Sequence, residues 1–139
     1  MGKHTIFPKY LGWAPKWFGG VPVVRTQKNN LVEQMAYHFK NSDRMVLVVP
    51  PEGTRSNTKY WKTGFYRIAE QAGVPIGMSF VDYKRKQTGI GPLFTPSGDL
   101  AKDIDQIAEF YKDKGGAYPE KVCPPRFKEL EEAEQAQDK

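Results

Sequence analysis

The sequence predicts an α/β fold, a small mixed sheet with helices packed on it. Three observations carry this. Short β-branched and aliphatic runs recur at 21–24, 45–49, 74–83 and 90–94, each about the length of a strand. Between them, and again after Asp99, apolar residues fall at helical spacing. Glycine and proline punctuate the junctions at Gly19-Gly20, Pro50-Pro51, Gly73 with Pro75, and Pro96-Ser97-Gly98.

In chain order, residues 1–18 interleave Lys3, Lys9 and Lys16 with Phe7, Tyr10, Trp13, Trp17 and Phe18. That mixture suits either a membrane interface, with rings at headgroup depth and snorkelling lysines, or an aromatic core. Pro8 and Pro15 keep any helix there short. A short strand at Val21–Val24 ends on Arg25. Asn30-Leu31-Val32-Glu33 reads as a capping box. It opens a helix whose apolar stripe is Val32, Met35, Ala36 and Phe39. A central strand is expected from Met45 to Val49, closed by Pro50 and Pro51, which cannot extend a ladder.

A second helix is expected from about Tyr60, with Phe65, Ile68, Ala69 and Ala72 on one face and Gly73 as its C-cap. Residues 74–83 read as a strand that turns through Lys84-Arg85-Lys86 into another at Ile90–Phe94. Pro96-Ser97-Gly98-Asp99 leads into a helix with Leu100, Ile104, Ile107 and Tyr111 inward. Asp99, Asp103 and Asp105 at its start agree with the helix dipole. After Gly115 the pattern loosens. Residues 1–114 read as the domain, and 115–139 as a proline-punctuated, charged tail with a frayed helix.

Composition narrows the function classes. The 139 residues suit one domain. Residues 1–98 hold 14 Lys/Arg against 5 Asp/Glu, a net of +9, while residues 99–139 hold 7 against 11, a net of −4. A basic half suits anionic headgroups, phosphorylated substrates or nucleic acid. No nucleic-acid motif accompanies it, so nucleic acid is not the expected partner. Cys123 stands alone, which excludes an internal disulfide and a cysteine zinc cluster. With no spanning run and no signal-peptide core, the expected place is cytoplasmic and peripheral to a membrane.

The chemistry concentrates after the expected central strand. Glu52-Gly53-Thr54-Arg55-Ser56 puts a carboxylate, a glycine, two hydroxyls and a guanidinium on five successive residues. A strand delivering such a cluster at its C-terminal end is how open α/β sheets build sites. Gly53 lets a ligand approach the backbone, and Arg55 offers a planar fork suited to phosphate. Arg25 follows another strand, so both guanidiniums could meet one phosphate monoester; two surface ion pairs are the alternative. Glu52 could hold Arg55 or accept from a substrate hydroxyl. Ser56 adds a hydroxyl, and Lys62, near a helix N-terminus, reads as an added phosphate contact or a solvated lysine.

These residues carry a resemblance. Pro51-Glu52-Gly53-Thr54-Arg55-Ser56 resembles the E-G-T-R-S block of the glycerophospholipid acyltransferases, the 1-acylglycerol-3-phosphate acyltransferase group. Gly19-Gly20-Val21-Pro22-Val23-Val24-Arg25 is similar to that family's upstream G-x-x-x-x-R block, and Gly73-Val74-Pro75-Ile76 to its downstream V-P-I block. The resemblance implies an acyltransferase-like fold and transfer of an acyl group to the free hydroxyl of a lysophosphatidic acid. Acyl-CoA or acyl-carrier protein would be co-substrate, with no cofactor and no metal. It implies that Arg25, Glu52, Gly53, Thr54 and Arg55 hold the acceptor's phosphate end, at an anionic membrane surface.

The family's N-H-x-x-x-x-D block, which supplies the histidine base, has no counterpart before Arg25, where only His4 stands. The sequence therefore reads as the phosphate-binding half of the domain, N-terminally truncated by an internal start. Its own turnover is expected to be low, since a general base is worth about 10²–10⁴ in rate. No catalytic residue is assigned. His38 and Asp43 match H-x-x-x-x-D literally but out of family order, and five helical residues set side chains about 140° apart. The pair reads as a chance match. A non-catalytic anionic-phospholipid-binding module is the alternative.

Overall fold

The structure is a computed structural model that describes residues 2–3, 22–23, 28–54 and 56–137. It divides into two compact units, Met1–Val48 and Val49–Lys139. In the first, β1 (Gly2–Lys3) pairs parallel with β2 (Pro22–Val23), and α1 runs from Lys28 to Lys40. Met35 and Ala36 are buried and Val32 and Phe39 half-buried, the stripe expected from spacing. The helix begins two residues before Asn30, and Asn41 closes it by donating from both its backbone and its side-chain amide to the Tyr37 carbonyl. The lysine-and-aromatic stretch at 4–18 lies outside the described residues.

The second unit holds α2 (Gly64–Ala72), β3 (Ile76–Asp82), β4 (Gln87–Phe94), α3 (Leu100–Tyr111), a 3-10 turn at Pro119–Lys121 and α4 (Lys128–Gln137). β3 and β4 form an antiparallel hairpin, Ile76 opposite Phe94 and Asp82 opposite Gln87, with an irregularity between Gly77 and Ser79. Met78 and Phe94 turn inward, and Ile104 and Ile107 of α3 join them. Gly91 permits that closeness: a Cβ there would lie 2.4 Å from the Phe110 ring. Gly73 caps α2 in the left-handed region, φ 67°, and the cap returns backbone N–H groups to Ala69 and Glu70.

Three expectations are corrected. The described residues form two two-stranded ladders, one parallel and one antiparallel. Among the described residues, Met45–Pro50 belongs to no ladder. The alternation survives, with Met45, Leu47 and Val49 half-buried and Val46 and Val48 90% and 78% exposed. A strand-like pattern, however, supplies only half of a ladder, and among the described residues no backbone pairs with it there.

The second correction concerns the start of α2, which lies at Gly64 and not Tyr60. The Trp61 N–H donates to the Arg126 carbonyl at 2.8 Å, so this stretch pairs with a distant segment before the helix can begin. The third concerns the charged tail, which starts from an anchor. Phe127 is 1% exposed within the core, against Phe65 and beside Trp61, and Leu130 packs on the same cluster. Burying a phenylalanine contributes about 1.5–3 kcal/mol, enough to fix the root of an otherwise solvated helix.

Candidate functional site

The loop that follows the expected central strand is a turn held from both ends. The Gly53 N–H donates to the Pro50 carbonyl at 3.1 Å, closing Pro50-Pro51-Glu52-Gly53. Gly53 sits at φ 66°, a conformation that costs a residue with a Cβ about 1–2 kcal/mol. The two prolines set the approach, and glycine is the residue that accepts the exit. The Ser56 N–H then donates to Thr54 Oγ1 at 3.1 Å, folding the next residues back on the threonine. Gly53, Thr54 and Ser56 are exposed and Glu52 is half-buried.

Lys62 returns to this turn. Its N–H donates to the Pro51 carbonyl at 2.7 Å, and its Cγ lies 3.2 Å from where a Cβ on Gly53 would be. Lys62 is exposed, and the base of its side chain stands beside the turn that carries the Thr54 and Ser56 hydroxyls. Glu52 lies on the side of Cys123: burial pushes that thiol up, and the Glu52 carboxylate adds to the shift. The arrangement suits an anionic group lying against a glycine, with hydroxyl donors and an ammonium around it.

Of the residues expected to form the site, the structure gathers Glu52, Gly53, Thr54, Ser56 and Lys62. Arg25 and Arg55 lie outside the described residues. His38 is on the last turn of α1, with its ring edge-on to Tyr37 at 6.1 Å, and Asp43 lies beyond the helix end. Among the described residues, no hydrogen bond or ion pair joins His38 to Asp43. No cluster of three His, Cys, Asp or Glu side chains there could hold a metal ion.

Reading by spacing missed the residues that hold the loop's outgoing side. Trp61 donates its indole N–H to the Cys123 carbonyl at 3.2 Å, Tyr60 its hydroxyl to Glu131 at 2.7 Å, and Thr63 its hydroxyl to Glu129 at 3.3 Å. Sequence separations above sixty residues hide such partners from any local pattern.

A second buried network steadies α2 from behind. Tyr66, fully buried, donates to Asp103 Oδ2 at 2.8 Å and accepts from the Gly98 N–H at 3.1 Å. Ser97 donates to Asp103 from both its backbone and its hydroxyl. Burial, and then the bond to Asp103, pushes the Tyr66 hydroxyl up to about 12. Burial also works to raise Asp103, yet the bonds from Ser97 and Tyr66 outweigh it and hold the carboxyl below its ordinary value. Asp103, read from spacing as a dipole partner, is a buried acceptor.

The turn carries an exposed glycine at positive φ and two hydroxyls, with Lys62 beside it, and the chain enters α2 only at Gly64. The family can be stated as well. A family model described as Acyltransferase matches residues 1–77, more than half of the chain, and the chain belongs to that family. Comparison with curated proteins and with solved structures gives no match.

Proposed function

We propose that the chain serves the acceptor side of acyl transfer in phospholipid synthesis, holding the phosphate of a lysophosphatidic acid. In the reaction, the acceptor's free hydroxyl oxygen attacks the thioester carbonyl carbon of acyl-CoA or acyl-carrier protein. An ester C–O bond forms, the C–S bond breaks, and the hydroxyl proton ends on the released thiol. The observation that supports this reading is the Pro50–Ser56 turn, with Gly53 at positive φ and Lys62 folded back on it, inside the family match.

The loop backbone and the Thr54 and Ser56 hydroxyls would hold phosphate oxygens, with Arg55 and Arg25 adding guanidiniums. Glu52 would orient the arginine or the acceptor hydroxyl. A substrate of this kind is presented at an anionic membrane surface, so peripheral attachment belongs to the same reading. Among the described residues, no helix is long and apolar enough to cross a membrane.

The test is binding of lysophosphatidic acid by the full chain and by Arg55→Ala, alongside release of free thiol from acyl-CoA. Loss of one charged hydrogen-bonding partner should weaken binding by about 1.5–3 kcal/mol, roughly ten- to a hundredfold. Equal binding by the variant would overturn the assignment. Arg55-dependent binding with no thiol release would identify a binding module in place of a transferase.

A further inference from the structure

We propose that the end of the second unit formed by the β3–β4 turn and the loop after α3 is the face that rests on an anionic lipid surface. This rests on the reading above that the acceptor is a membrane phospholipid. Four apolar or aromatic side chains stand out there: Val81, Tyr83, Tyr118 and Val122 are 59%, 60%, 63% and 50% exposed.

The segments that carry them meet in space although they lie more than thirty residues apart in sequence. The Tyr83 N–H donates to the Gly115 carbonyl at 2.8 Å. A Cβ on Gly115 would lie 3.4 Å from Lys84 Cβ, and one on Gly116 would lie 2.7 Å from Val122 Cγ2. Lys121 Nζ lies 4.8 Å from the centre of the Tyr118 ring.

Charge complements this patch. Asp82, 2% exposed, is consumed inside the turn, accepting from the Lys84, Arg85 and Gly115 N–H groups and from the Arg85 guanidinium. Asp113 is taken up by Arg85 and Lys114. Lys84 and Lys86 are exposed and make no ion pair among the described residues, and Lys121 makes only its ring contact. Glu120 is the exposed carboxylate in the same stretch, so the rim is left net positive.

Lys86 also occupies the left-handed region, φ 54°, where glycine or asparagine would sit with less strain. A lysine held there at a cost in stability is explained by an outward task for its ammonium. Amphipathic rings beside lysines on long apolar stems match a headgroup layer, where rings settle at the interface and ammoniums reach lipid phosphate.

The test is co-sedimentation of the full chain with vesicles of phosphatidylcholine, with and without phosphatidylglycerol. Lys84→Gln/Lys86→Asn should bind the anionic vesicles about 25-fold more weakly, near fivefold per lysine. Its melting temperature should stay level or rise, because asparagine relieves the strain at position 86. Tyr83→Ser/Tyr118→Ser should lose binding to the same vesicles, while Lys102→Gln, toward the other end of α3, should leave it unchanged. If the unsubstituted chain ignores anionic vesicles, both the membrane reading and this surface fall. If it binds them and both double variants bind equally well, the surface is wrong and the membrane reading stands.

Discussion

Phe127→Ala should destabilise the protein by about 3–5 kcal/mol, the cost of emptying a buried phenylalanine site. The side chain is 1% exposed and belongs to the cluster of Tyr66, Met78, Phe94, Ile104 and Ile107, with Trp61, Phe65 and Leu130 packed around it. Its removal leaves a cavity that the backbone around it cannot easily close, because the neighbouring Arg126 carbonyl is held by the Trp61 N–H. For a chain of this length the loss should lower the melting temperature by roughly 10–20 °C, read by circular dichroism and by urea titration with an unchanged slope.

The consequence reaches the candidate site. Lys62 is bonded to Pro51, and its neighbour Trp61 to Arg126, so loosening residues 123–130 should also weaken lysophosphatidic acid binding. A penalty below about 1 kcal/mol, the range of ordinary surface substitutions and small core changes, would refute the claim that Phe127 is core. Full binding at a temperature where the variant remains folded would refute the link from tail to loop.

Gly53→Ala should cost about 1–2 kcal/mol from its positive φ, and should weaken lysophosphatidic acid binding by displacing Lys62, as read by denaturation and by titration with the ligand. Acid should unfold the protein through Asp82 and Asp103. Burial opposes ionisation of each, but their hydrogen bonds win and hold both below the ordinary value, so their stabilisation is present above about pH 4 and is lost as pH falls through the lower folded values. Melting temperature against pH should therefore fall steeply only below about pH 4, and Asp103→Asn should flatten that limb. At the alkaline end, stabilisation from Tyr66 is complete below about pH 10 and is lost as pH rises through about 12, a limb that Tyr66→Phe should remove.

Local signals are legible in the sequence where the physics is local. The stripe Leu100, Ile104, Ile107 and Tyr111 lies on one side of α3, and Asp99 accepts from the Lys102 N–H as its cap. Gly73 ends α2 because the chain there needs a left-handed residue. The hairpin follows from two strand-like runs around a short basic turn. The failures share a cause. Met45–Val49 has a strand's alternation, yet a ladder needs a second backbone at matching register, and periodicity in one segment contains no information about that neighbour. Tyr66 lies off the expected face of α2, Phe65, Ile68, Ala69 and Ala72. It is fully buried because its hydroxyl meets Asp103, 37 residues away.

By itself, the amino-acid sequence determined the E-G-T-R-S cluster, the basic half, the helical stripes and the acyltransferase resemblance, since each depends on neighbours along the chain or on composition. Only the tertiary structure decided that Lys62 folds back on Gly53, that Phe127 roots the tail in the core, and that Tyr83, Tyr118 and Val122 share one exposed end. Those contacts join residues separated by nine to sixty-six positions. They form only after the intervening chain has paid its ordering entropy, a cost and a reward set by the whole fold.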